Sequence, residues 1–202
     1  MIEPGTPALR LQTDYVYDAF GNKISVTVSG VDIATRTAST VYDAQGRFAV
    51  SATNALGQSE SWQYDLRFGL PTSHTGPNGL TTSWSYDGFG RKILEIRPDG
   101  TRTQFAYLFC SGINGGTASC PAAATYLSQA TLLASDGVTQ NAPVAKVYFD
   151  SLNREVARDT QGFDGNGVRA SKEYDGLGHL SRVSRPYLVN LDAEPLQQRL
   201  LK

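Results

Sequence analysis

Apolar and polar residues alternate along short runs of this chain, and turn-forming residues close each run. Ile24, Val26 and Val28 share one side, with Lys23, Ser25 and Thr27 on the other. Such period-two patterning marks half-buried antiparallel strands. The runs close on a recurring aromatic-Asp-x-x-Gly group: Tyr17-Asp18-Ala19-Phe20-Gly21, Tyr42-Asp43-Ala44-Gln45-Gly46, Tyr86-Asp87-Gly88-Phe89-Gly90 and Tyr174-Asp175-Gly176-Leu177-Gly178. Phe149-Asp150-Ser151-Leu152-Asn153 puts Asn in the glycine's place, and Tyr64-Asp65-Leu66-Arg67-Phe68-Gly69 carries one additional residue. Aromatic positions 17, 42, 64, 86 and 107 are 25, 22, 22 and 21 residues apart, although Tyr107 has lost its Asp. From Tyr107 to Phe149 is 42 residues, or two steps of 21, and Tyr174 follows 25 later.

The turn chemistry explains the motif. An aspartate carboxylate accepts hydrogen bonds from amides two residues on, and glycine in the fourth place takes a positive φ without steric cost. A type I turn ending in a left-handed residue is therefore expected at Gly21, Gly46, Gly90 and Gly178. Asn153 fits because Asn tolerates that region, whereas Gly88 stands in an ordinary right-handed place. A second turn signal lies midway, as in Ser29-Gly30-Val31-Asp32, Asn54-Ala55-Leu56-Gly57, Pro77-Asn78-Gly79, Pro98-Asp99-Gly100 and Asp164-Gly165-Asn166-Gly167. Two strands of about seven residues and two turns of three or four sum to about 21. The period is one β-hairpin with its link to the next. The expected fold is all-β: consecutive antiparallel hairpins of about 21–25 residues in a twisted strip. A single domain over 1–202 is expected, with repeats at about 14–109 and 144–187 and an irregular insertion at about 110–143. A short helix or extra strand is expected near 122–133, and a turn or two of helix within 192–200.

Aromatics also stand two residues before the motif: Tyr15 with Tyr17, Trp62 with Tyr64, Trp84 with Tyr86, Phe105 with Tyr107. With repeats side by side, each tyrosine is expected beside the next repeat's tyrosine in an aromatic row. Trp62, Trp84 and Tyr107 are then the candidate ligand-facing aromatics, able to stack on a sugar ring. The same rings could equally be the strip's own packing layer, or a lining that faces an enclosed polypeptide.

Charge and composition remove other classes. Lys+Arg 18 against Asp+Glu 19 gives a net charge of −1, which leaves no electrostatic footprint for nucleic acid or an anionic membrane. No stretch approaches 18 apolar residues, so no membrane span is expected. The opening Met1-Ile2-Glu3-Pro4-Gly5 lacks the basic-then-apolar pattern of a signal peptide, so the chain is expected to be a piece of something longer or exported by another route. Cys110 and Cys120 flank a flexible stretch rich in Gly, Ser and Asn, and a disulfide between them competes with two free thiols. Cofactors and metal ligands are expected to be none, because the two cysteines have no His partners at ligand spacing. No nucleophile–base pair is evident: His74 and His179 stand in separate repeats near turns, and the aspartates are accounted for by turn formation. The protein is read as no enzyme.

Tyr86 to Arg91 and Tyr42 to Arg47, read as Tyr-Asp-x-x-Gly-Arg, resemble the YD repeats of bacterial RHS proteins. The same repeats occur in the B and C components of insecticidal Tc toxin complexes and in animal teneurins. The segment Gly178-His179-Leu180-Ser181-Arg182-Val183-Ser184-Arg185-Pro186-Tyr187 is similar to a stretch that often follows a YD unit in the large bacterial members. The resemblance runs from about Asp14 to Tyr187. It implies a structural segment of a secreted or cell-surface toxin shell that encapsulates and delivers a C-terminal toxin. The implied partners are the remainder of a larger RHS protein and its enclosed toxin polypeptide. The alternative is a carbohydrate- or protein-binding adhesion module that uses the aromatic row, with a glycan as partner. An Asp-Pro-rich core motif, the family's C-terminal hallmark, is absent from the sequence.

Overall fold

The computed structural model describes residues 10–162 and 166–189. Expectations for Met1 to Gly5, for Asp164 and Gly165, and for the helix within 192–200 lie outside those residues. The chain divides into two compact units, one ending at Arg91 and the other starting at Lys92. Every regular element among the described residues is a β-strand.

The first unit is a ladder of seven strands: β1 (Leu11–Tyr17), β2 (Lys23–Gly30), β3 (Ile33–Tyr42), β4 (Ala49–Thr53), β5 (Ser59–Asp65), β6 (Leu70–Thr75) and β7 (Thr81–Tyr86). Each strand pairs antiparallel with the next in sequence, so two turns and two strands make one repeat. Gly90 has φ +77°, and Asn153 in the second unit has φ +62°, so both adopt the left-handed conformation the motif demands. Gly88 is not among the positive-φ residues. In the turn after β2 the left-handed residue is Asp32, with φ +58°, rather than Gly30. None of this unit's described residues is buried.

The second unit comprises β8 (Lys92–Ile96), β9 (Arg102–Phe109), β10 (Tyr126–Leu133), β11 (Ala145–Phe149), β12 (Glu155–Gln161), β13 (Gly167–Tyr174), β14 (Leu180–Val183) and β15 (Tyr187–Val189). Pairing again runs in sequence order from β8 to β14, and β15 also pairs with β13. The region expected as a helix or an extra strand near 122–133 is the strand β10, lying beside β9 and β11. A core cluster sits here, where Cys110, Ala124, Leu127, Tyr148, Val156 and Ala157 pack together. Ile113, Ala118 and Cys120 pack against it from the loop between β9 and β10.

One departure from simple alternation recurs. Val16 faces Ser25 but Tyr17 faces Lys23, so two residues of β2 answer one of β1. The same two-for-one step stands beside Tyr42, Tyr64, Phe149 and Tyr174. These are β-bulges, which insert a residue and reset which side the following side chains take. Lys23 is thereby on the same side as Tyr17 and Val26, with its ammonium 5.3 Å from the Tyr15 ring centre, against the alternation expected from sequence.

Candidate functional site

Each aspartate of the motif organises its own turn. Asp87 Oδ1 accepts hydrogen bonds from the amides of Phe89 and Arg91, both at 2.9 Å, and the Gly90 amide donates to the Asp87 carbonyl at 3.1 Å. Asp150 does the same with Leu152 and Arg154, and Asp175 with Leu177 and His179. The arginine after the turn closes the unit, with Arg91 Nε donating to Asp87 Oδ2 at 2.7 Å and Arg154 Nε to Asp150 Oδ2 at 2.7 Å. Partial desolvation works against the charged form of Asp87, but the Arg91 amide and guanidinium outweigh it and hold the carboxyl below its ordinary range. At Asp65 the Arg67 guanidinium is the leading cause and lowers the carboxyl to about 2. All these carboxylates are occupied by their own loops.

Three tyrosines at the motif's aromatic position each join one repeat to the one before. Tyr86 donates its hydroxyl to the Pro71 carbonyl at 2.7 Å, Tyr107 to that of Lys92 at 3.4 Å and Tyr174 to that of Glu155 at 2.9 Å. Each acceptor is the residue where the preceding hairpin resumes after its own turn. Phe149 has no hydroxyl, and its ring instead stacks on Tyr126 at 5.0 Å. This linkage escapes a sequence reading, because its partner lies 15 or 19 residues back.

A second linkage runs from turn to turn. A Cβ built on Gly46 would stand 2.4 Å from Phe20 Cδ2, and one on Gly90 would stand 3.2 Å from Phe68 Cδ1. Phe48 approaches Gly69 in the same way, at 3.3 Å. The glycine is thus both a left-handed hinge and a seat for the aromatic ring of the previous turn.

Register places Tyr17, Tyr42, Tyr64 and Tyr86 on one face, with Trp62 and Trp84 among them. They stand on alternate strands. An intervening strand separates successive tyrosines by about 10 Å, because the hairpin's return strand lies between them. Rings from that neighbourhood fill the gaps: Phe48 stacks on Tyr64 at 4.8 Å, and His74 stacks on Trp62 at 5.2 Å. His74 Nε2 is also 3.0 Å from Glu60 Oε2. Trp62, Trp84, Tyr64, Tyr86 and Tyr107 are all half-buried.

The second unit adds a group that the motif scan missed. Asp159 accepts from Arg169 Nε at 2.6 Å and Nη2 at 2.7 Å, and from the Tyr148 hydroxyl at 2.9 Å. Asp159 is 1% exposed and Arg169 9%. Burial, followed by the Asp159 carboxylate, pushes the Tyr148 phenol up. The two charges are direct cross-strand partners on β12 and β13. A sequence signal did exist: Asp159 and Arg169 each stand five residues from Asp164 in the chain, as partners across one hairpin must be equidistant from its middle. Above this face lies the loop in which the Cys110 and Cys120 sulfurs are 2.09 Å apart, at disulfide distance. Among the described residues no cluster of three or more His, Cys, Asp or Glu is arranged to hold a metal. Among those residues no helix is long and apolar enough to cross a membrane.

The family model described as RHS Repeat matches residues 66–102. The chain carries an RHS repeat. The matched span contains the turn at Asp87, the hydroxyl link from Tyr86 and the seat at Gly90. The crystal structure of TcdB2-TccC3-TEV has the same fold: TM-score 0.60 at 15% identity, over 89% of this chain and 13% of that one. The crystal structure of TcdB2-TccC3 superposes with TM-score 0.57 at 20% identity, over 88% of this chain and 11% of that one. The chain therefore spans about an eighth of the length of the first of these structures. No curated protein sequence matches it.

Proposed function

We propose that this RHS-repeat chain is a non-catalytic wall segment of a secreted or cell-surface shell, one that encloses a C-terminal toxin polypeptide. Residues 1–202 act in this reading as one repeat array, interrupted by the cysteine loop. The observation that carries the reading is the first unit. Seven strands hydrogen-bond edge to edge without a buried residue, so the sheet has not folded over a core of its own. A sheet of that kind is a partition. Its aromatics are spent on holding adjacent repeats together, by stacking and by tyrosine hydroxyls, which supports packing over sugar recognition. The Cys110–Cys120 disulfide suits an oxidising, extracellular setting.

The experiment is limited proteolysis of the full-length product, read by mass spectrometry. The segment after the array should resist cleavage while the wall is intact and become labile when Gly46→Val disrupts a turn. Equal cleavage in both proteins refutes enclosure. Micromolar glycan binding by the purified chain, abolished by Trp84→Ala, would instead establish the adhesion module.

A further inference from the structure

Three Asn-Gly sequences occur among the described residues, and the fold treats them differently. In an Asn-Gly pair the glycine amide nitrogen can attack the asparagine side-chain carbonyl carbon. Ammonia leaves, a five-membered succinimide forms, and water opens it to aspartate or isoaspartate. Glycine favours the step because no Cβ hinders the approach or the backbone rotation it needs. The attack also needs an amide nitrogen and a side chain that are not already held.

At Asn78 both are engaged. The Gly79 amide donates to the Gly76 carbonyl at 2.9 Å, and Asn78 Oδ1 accepts from the Leu80 amide at 3.2 Å. At Asn166 the following residue, Gly167, is buried and paired with Gln161 on one side and Val189 on the other. Asn114 is the contrasting case. It is exposed, it sits at the tip of the loop closed by Cys110 and Cys120, and it already has the left-handed φ of +47°. The Ile113 and Gly116 amides on either side donate to Cys110 and Ile113 carbonyls. Among the hydrogen bonds of the described residues, none is donated by the Gly115 amide or made by the Asn114 side chain. Gly115 itself has φ +74° and open space where a Cβ would stand.

We propose that Asn114 is a spontaneous deamidation site. It converts an uncharged amide at the loop tip into a carboxylate or an isoaspartyl linkage, with water as the only co-reactant. Asn78 and Asn166 carry the same sequence and are protected by the fold. The proposal is independent of the wall function.

The test is incubation of the purified chain at neutral pH, followed by tryptic mapping with tandem mass spectrometry. Cleavage after Arg and Lys puts Asn78 in 68–91, Asn114 in 103–146 and Asn166 in 159–169, so the three sites report separately. In the native chain Asn114 should deamidate about tenfold faster than either of the others, because each of those must first open locally. In urea with the disulfide reduced, the three rates should converge. Asn114→Gln should abolish the native signal in 103–146, and an isoaspartyl methyltransferase assay should lose its substrate in parallel. Native rates at Asn78 or Asn166 equal to that at Asn114 would overturn the proposal, as would a protected Asn114 in the folded chain.

Discussion

The glycine seats allow conformational strain to be separated from contact. Gly21 has φ +85° with nothing within 4 Å of a built Cβ, whereas Gly90 adds contact with Phe68 at 3.2 Å and Gly46 a clash with Phe20 at 2.4 Å. Replacing a left-handed glycine by alanine costs about 1–2 kcal/mol from the backbone alone, which is the whole expectation for Gly21→Ala. Gly90→Ala should exceed it by a few tenths, since the Phe68 ring edge must give slightly. Gly46→Ala cannot be accommodated without moving Phe20 and should cost about 1–3 kcal/mol more. Gly88→Ala, in the ordinary turn position of the same loop as Gly90, should be neutral or stabilising by up to about 1 kcal/mol through the unfolded state. Thermal melting of the purified chain measures the series, with an expected shift in Tm of about 2–4 °C per kcal/mol for a chain of this size. In a Phe20→Ala background the added cost at Gly46 should vanish, leaving the Gly21 value. Four equal losses, or a Gly88→Ala loss matching that of Gly90→Ala, would refute the seat.

Acid should loosen the turns in a defined window. The folded Asp65 carboxyl titrates at about 2, below the unfolded value of about 3.9, so its contribution is complete above about pH 4 and is lost as pH falls toward 2. Asp65→Asn should flatten that slope in acid titrations followed by circular dichroism, and an unchanged slope contradicts the assignment. Removing one partner of the buried pair, as in Asp159→Asn or Arg169→Met, should cost about 3–5 kcal/mol. The double change Asp159→Leu with Arg169→Met should recover much of that loss, and a strictly additive result would argue against the pairing. Reducing Cys110–Cys120 should lower stability by up to about 3 kcal/mol and raise dye binding at the Leu127 and Tyr148 surface. A fully reduced chain that melts with the oxidised one would show that the loop is held without the bond.

Much of this molecule was legible from local chemistry. The Asp-x-x-Gly repeat names its own turn because carboxylate, amides and the left-handed residue all lie within four positions. Hence Gly90 and Asn153, and the quiet Gly88, are where a sequence reader would place them. Alternation located the strands, and the period of twenty-odd residues ordered them, since a hairpin's partner is its neighbour. Other features required the folded chain. The bulge beside each tyrosine depends on cross-strand register, and it turned Lys23 to the tyrosine side. The hydroxyl links from Tyr86 and Tyr174 and the ring of Phe20 on Gly46 join different repeats, so no single motif contains them. Burial was decided last of all: Asp159 and Arg169 read as ordinary strand polar residues, and only the folded chain buries them against each other with the Tyr148 hydroxyl as a third partner. Short-range hydrogen bonding is written residue by residue, whereas desolvation belongs to whatever the rest of the chain places on top.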